Sequence, residues 1–77
     1  YNSVRYRIAY KLIDLSKTHP KGKVELSRLD LAQMLGTTSE TLVRTLTEFK
    51  NDKLVTADEN GNIIPDIGKL KKAMSMF

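Results

Sequence analysis

The chain has no cysteine and no tryptophan, and only one histidine and two prolines occur in its 77 residues. Without cysteine, disulfides and thiolate-ligated zinc are excluded, and the composition fits a reducing cytoplasm. No apolar run approaches the roughly 20 residues that cross a bilayer, and no signal-peptide pattern opens the chain. A chain this short buries about 60% of its unfolded surface, which leaves little room for a deep catalytic pocket. We therefore expect one cytoplasmic domain that is not an enzyme.

Positive charge is in excess. The 13 lysines and arginines outnumber the 9 aspartates and glutamates, which gives a net charge of +4 and a pI near 9.5. Such a balance is compatible with a polyanionic partner such as nucleic acid. It is also ordinary for a small soluble domain, so charge alone does not decide between the two interpretations.

Capping residues and apolar spacing predict four helices. The first has an apolar arc too wide for one buried face, so we expect it to be buried on more than one side. Gly36 ends the second helix, as glycine does past a helix C-terminus. The predicted helices cover 3–17, 27–35, Thr37 or Thr38 to about Asp52, and 66–75, with caps at Ser3, Ser27 and Asp66. The predicted inward residues are Leu29, Ala32 and Leu35 in the second helix and Leu42, Leu46 and Phe49 in the third. Met34 is predicted to be a core or gap-filling residue. The last helix is predicted to be packed by Met74, Met76 and Phe77.

Short strands separate these helices. The alternation in "KVELS" predicts a strand over 23–27. Two further runs, 54–57 and 62–65, flank a turn over 58–61 and predict a hairpin. Pro65 suits the end of the second strand. Two helices joined by a tight glycine-containing turn and followed by a hairpin predict a winged helix-turn-helix, a mainly α fold with a small β wing, over residues 1–77.

The stretch "GTTSETLVRTLTEFK" carries the predicted recognition helix, residues 38–51. Glu40 and Arg44 lie one turn apart on the side opposite its inward residues. Arginine can donate two hydrogen bonds to guanine, and glutamate can accept one from cytosine. Backbone N–H groups at the helix start suit phosphate contacts, and so do the nearby hydroxyls of Thr37, Thr38, Ser39 and Thr41. This pattern favours a helix that reads bases in the major groove of DNA.

The same residues have a purely structural interpretation. Glu and Arg four residues apart stabilise a helix by about 0.2–0.5 kcal/mol without any ligand. Thr37-x-x-Glu40 also matches a capping box, in which Glu40 would bind its own backbone. A further alternative is a winged helix that binds another protein through its apolar first helix and its C-terminus and does not bind DNA.

His19 lies in the turn "HPKG" and is the single histidine of the chain. A lone loop histidine without a Cys/His cluster is more often solvent-exposed than a metal ligand or a catalytic base. No glycine-rich phosphate loop of the Walker type occurs either. We therefore expect no metal site, no catalytic residue and no cofactor in this chain.

The segment "RIAYKLIDLSKTHPKGKVELSRLDLAQMLGTTSETLVRTLTEFKNDKLV" resembles the C-terminal DNA-binding domain of the Crp/Fnr family of bacterial transcription regulators. The resemblance extends from about Val4 to Ile64. Its most specific part begins with Ser27-Arg28 and includes Gly36, the hydroxyl-rich turn and the pattern E-T-apolar-x-R-x-L.

The resemblance implies roles for individual residues. Glu40 and Arg44 would contact bases, and Ser39 stands where some family members read a base with arginine. Val43 stands where some members carry serine, and a valine could touch a thymine methyl group. The family positions that hold phosphates correspond to Ser27, Arg28, Thr38 and Thr41. With Glu40 and Arg44 present, a half-site with a G·C-bearing core of the TGA type is expected.

The resemblance also implies partners. Family members carry an N-terminal sensory barrel and a long dimerisation helix, neither of which is in this sequence, and the chain begins at Tyr1 rather than at methionine. We therefore expect an isolated output domain that is a monomer or weak dimer, from a full-length protein that is a homodimer. The expected partners are promoter DNA and RNA polymerase, with lysines of the wing or the C-terminal region pairing with phosphates.

Overall fold

The computed structural model describes residues 3–77, apart from the side chain of Pro20. Four helices form most of this part of the chain, and two short strands form an antiparallel hairpin. The elements are α1 (Val4–Thr18), a 3₁₀ turn (Pro20–Gly22), α2 (Arg28–Leu35), α3 (Ser39–Asn51), β1 (Val55–Ala57), β2 (Ile63–Pro65) and α4 (Ile67–Met74). All four predicted helices and the predicted hairpin are present, with ends that differ by one or two residues.

The predicted helix caps explain why the helices begin where they do. Ser3, Ser27 and Asp66 each accept the backbone N–H three residues further on, at 3.0 to 3.1 Å. Such a bond satisfies one of the N–H groups that a helix start leaves unpaired. Gly36 ends α2 in the left-handed conformation, with φ of 67°, which a residue without Cβ adopts at no steric cost.

The turn between α2 and α3 is short because it closes one helix and opens the next. The N–H of Thr37 donates to the Ala32 carbonyl at 3.0 Å, as in a Schellman motif. Thr37 thus belongs to the end of α2, and Thr38 caps α3 by accepting from the N–H of Thr41. The alternative interpretation, a capping box between Thr37 and Glu40, is therefore wrong.

One hydrophobic core joins the four helices and the two strands. Helix α1 contacts α2, α3, α4 and β2, so the predicted burial on several sides is correct, although Tyr10 remains 60% exposed. The core residues are Ile8, Ala9, Leu12, Ile13, Leu15, Val24, Leu31, Ala32, Leu42, Leu46, Phe49, Leu54, Val55, Ile63 and Leu70.

Three predicted packing positions are wrong. Leu29 is 60% exposed, and Leu31 takes its place in the core. Met34 is exposed rather than core, and Met76 is exposed at the C-terminus. Met74 and Phe77 pack against the core as predicted. The Phe77 ring stacks on Phe49 with centroids 5.5 Å apart.

The predicted strand over 23–27 is reduced to one bridge, between Val24 and Ile63. A longer strand would need further hydrogen bonds on either side of Ile63. The next positions available are Pro65, which has no N–H to donate, and Gly61, which lies in the hairpin turn. Ser27 already caps α2, so the segment cannot extend further as a strand.

The order α2, tight turn, α3 and hairpin is a winged helix-turn-helix, and the predicted fold class is confirmed. We call residues 55–65 the wing. None of the helices within residues 3–77 is long and apolar enough to cross a membrane.

Candidate nucleic-acid interface

Helix α3 is anchored by its inward side and presents its other side to solvent. Leu42, Leu46 and Phe49 are at most 3% exposed. On the opposite side, the side chains of Glu40 and Arg44 are 83% and 68% exposed. A rigid helix with an uncovered polar face can enter a groove of DNA without rearrangement of the core.

Glu40 and Arg44 form an ion pair, in which Nη2 of Arg44 donates to Oε1 of Glu40 at 3.2 Å. The bond uses one of the five guanidinium N–H groups and one carboxylate oxygen. The remaining donors and the second oxygen are available to nucleotide edges. A pair this exposed contributes little to stability, about 0.2–0.5 kcal/mol, and it leaves both side chains open to solvent.

The hydroxyls at the start of α3 are partly engaged with each other. The Thr38 hydroxyl accepts the N–H of Thr41 at 3.1 Å and donates to the Thr41 hydroxyl at 2.9 Å. Thr41 therefore keeps a proton that a phosphate could accept, whereas Thr38 must release its bond to donate. Ser39 is half-buried beside them, and its N–H belongs to the first helical turn, where no partner exists within the helix.

Val43 completes the outward side of α3. It is 47% exposed, and its carbonyl accepts the hydroxyl of Thr47 at 2.9 Å. The valine side chain adds an exposed apolar group to the same side of α3 as the charged pair. The four residues predicted to contact bases, Ser39, Glu40, Val43 and Arg44, thus lie within the first two turns of one helix.

The start of α2 carries the two other predicted phosphate contacts. The Ser27 hydroxyl only accepts in its cap, at 3.0 Å, and keeps its proton. Nη2 of Arg28 donates to the Gly61 carbonyl in the turn of the wing at 3.1 Å. Sequence reasoning missed this contact, because a pairing over 33 residues has no local signal.

The turn of the wing is organised around one carboxylate. Oδ1 of Asp58 accepts the backbone N–H groups of Asn60 and Asn62, each at 2.9 Å. Lys23 pairs with the same side chain at 3.3 Å, and the side chain is 13% exposed. The backbone N–H of Asn62 is the largest cause that lowers the pKa of Asp58 below its ordinary value. Burial opposes it, and Lys23, the backbone N–H of Asn60 and the Asn62 side chain add smaller lowering contributions, so the pKa is lowered overall.

The expectation that lysines in the wing pair with phosphates is wrong, since residues 54–65 contain neither lysine nor arginine. Exposed lysines do occur on α4, where Lys69, Lys71 and Lys72 lie near one another. His19 is half-buried, and its Nδ1 lies 2.7 Å from the Leu15 carbonyl at the end of α1. Within residues 3–77, no three acidic or histidine side chains converge as a metal site.

Comparison with known proteins supports this assignment of fold. The family model described as a Crp-like helix-turn-helix domain matches residues 6–73. No curated protein matches the chain. The matched range includes α2, α3 and the wing, and the family indicates a DNA-binding role in transcription regulation. The chain therefore belongs to the family of Crp-like helix-turn-helix domains.

Proposed function

We propose that this domain binds promoter DNA sequence-specifically, with α3 in the major groove. The observation that carries the proposal is the exposed pair of Glu40 and Arg44 on the first two turns of a helix whose opposite side is core. Within such a helix, N-terminal residues are those that reach base edges.

Each contact has a chemical role. Arg44 donates to guanine O6 and N7, Glu40 accepts from cytosine N4, and Val43 touches a thymine methyl group. Ser39 adds a hydroxyl that can donate or accept at a neighbouring base. The phosphate contacts are Ser27, Arg28, Thr37, Thr38 and Thr41.

The wider role follows from the resemblance to the Crp/Fnr family. We propose that the domain is the output part of a bacterial cytoplasmic regulator that is a homodimer through a segment outside this sequence, and that RNA polymerase is a second partner. We propose no enzymatic activity and no cofactor for these 77 residues.

Selection of bound sequences from random duplexes tests the proposal. The domain is fused to a dimerisation helix, because one domain contacts only one half-site. We expect enrichment of paired half-sites with a TGA-type core and affinity that falls steeply with salt. Recovery of unrelated sequences, or binding that does not respond to salt, would contradict the proposal.

A second candidate, a protein-binding winged helix, has one observation in its favour. Tyr10 and Met34 are 60% and 50% exposed, and they line a groove between α1 and α2 together with Tyr6. Exposed apolar groups that adjoin one another mark many protein-interaction surfaces. This candidate predicts no binding to duplex DNA at any salt concentration, so the selection experiment separates the two.

A further inference from the structure

The wing has no positive charge of its own. Its turn carries two acids, Asp58 and Glu59, and residues 54–65 contain no lysine or arginine. Phosphates attract cations and repel carboxylates. An approach of this wing to DNA therefore depends on groups that other parts of the fold supply.

Two such groups come from residues 23–28, the segment that leads into α2 and includes its first residue. Lys23 pairs with Asp58 at 3.3 Å and offsets its charge. Arg28, the first residue of α2, is half-buried and donates to the Gly61 carbonyl at 3.1 Å. This segment thus places one cation beside each end of the turn.

The same segment is attached to the wing through its backbone. The N–H of Val24 donates to the Ile63 carbonyl at 2.7 Å, and the reverse bond is 3.2 Å. The bridge attaches the wing at Ile63, which pairs with Ala57 in the last strand pair before the turn and lies two residues from Gly61. The bond from Arg28 ties the end of the turn, at Gly61, directly to the start of α2.

We propose that Arg28 is a positioning residue, which fixes the turn of the wing against the start of α2 and brings to it the positive charge that the turn lacks. The proposal rests on the DNA-binding function proposed above. Helix α2 is joined to α3 by the short turn that Gly36 and Thr37 close. A turn of the wing that is fixed to α2 is therefore also fixed relative to the recognition helix.

Spin-label distances in the domain without DNA test the positioning role. The absence of native cysteine allows two unique labels, at Glu59→Cys in the turn of the wing and Lys50→Cys in α3, both exposed positions. We expect one narrow distribution of label-to-label distances in the domain that keeps Arg28 and a broader distribution in Arg28→Ala. Arg28→Lys should stay broad, because the lysine ammonium lies one bond closer to the backbone than Nη2 of arginine and lacks the guanidinium fork. Lys17→Ala, which removes one charge from the end of α1 and none of the wing contacts described above, should leave the distribution narrow.

Hydrogen exchange and DNA binding complete the test. In Arg28→Ala, amides of the turn should exchange roughly 3- to 10-fold faster, as expected for loss of one hydrogen bond. In the same variant, the slope of log affinity against log salt should become shallower by about 0.9. Arg28→Lys should restore the slope but neither the narrow distance distribution nor the slow exchange.

Unchanged distances and exchange in Arg28→Ala, with only the slope reduced, would show a phosphate contact alone and overturn the positioning role. If the unsubstituted domain bound no DNA, the proposed function would fail, whereas the distances and exchange would still decide the role of Arg28. A thermal unfolding curve for each variant verifies that the core is folded in all of them.

Discussion

Removal of the Arg44 guanidinium should affect DNA discrimination far more than stability. In the free domain, the side chain is 68% exposed and forms a single 3.2 Å bond to Glu40. Loss of such a pair costs about 0.2–0.5 kcal/mol, which corresponds to a fall of roughly 1–4 °C in Tm. Loss of a bidentate guanine contact costs about 1–3 kcal/mol of discrimination, a roughly 5- to 150-fold smaller ratio of specific to nonspecific affinity.

The assay measures the affinity of Arg44→Ala for a selected operator and for random duplex of equal length at several salt concentrations. Arg44→Lys is the matched control, because it keeps the charge and the phosphate attraction but not the planar fork. We expect both variants to lose discrimination and only the alanine variant to lose nonspecific affinity as well. A wild-type ratio of the two affinities in Arg44→Ala would refute the base-contact role.

Three further predictions concern the core, the wing and the C-terminal helix. Leu42→Ala should lower the free energy of unfolding by about 2–5 kcal/mol in urea denaturation, because Leu42 is fully buried. The stability that Asp58 contributes should be present above about pH 4, its ordinary pKa region, and should be lost as the pH falls through its lowered pKa. Asp58→Asn should abolish this part of the pH dependence of turn-amide exchange. Lys72→Ala should weaken binding equally for all DNA sequences and reduce the salt slope by about 1.

The predictions for Leu42 and Asp58 have matched control variants. Val43→Ala, one position further on and 47% exposed, should change stability by less than about 0.5 kcal/mol. Asp58→Asn retains an oxygen that can accept the two backbone N–H groups, whereas Asp58→Ala does not, so only the alanine variant should open the turn at pH 7. Equal effects of the Leu42 and Val43 substitutions, an unchanged pH profile in Asp58→Asn, or an unchanged slope in Lys72→Ala would contradict the respective prediction.

Local signals predicted the helices well. Ser3, Ser27 and Asp66 act within three residues of their own position, so their bonds can be inferred from sequence alone. The inward side of α3 was equally clear, because Leu42, Leu46 and Phe49 recur at one spacing over a long helix.

Short or crowded segments were harder to predict. In the eight-residue α2, leucines occur on more than one side, and packing between α1 and α3 rather than periodicity selects Leu31 over Leu29. Thr37 and Thr38 are equivalent as cap candidates until Thr37 is engaged in ending α2. The pairing of Arg28 with Gly61 depends on tertiary structure, which no local pattern encodes.

For the candidate site, the sequence predicts which side chains are exposed, and the structure allows this to be checked. Sequence placed Glu40 and Arg44 on an outward face, and the exposure of both side chains agrees with that placement. Glu40 and Arg44 also bond to each other, as the purely structural interpretation requires, and both side chains stay exposed while they do so. The base contacts themselves stay a prediction.

The most direct test of base reading by α3 combines one atomic change in DNA with one in protein. Replacement of guanine by 7-deazaguanine at each operator position removes only the N7 acceptor. At one position per half-site, we predict that this replacement weakens wild-type binding by roughly 5-fold or more and leaves binding of Arg44→Ala unchanged. Equal losses for both proteins at every guanine would contradict the central claim that Arg44 contacts a base in the major groove.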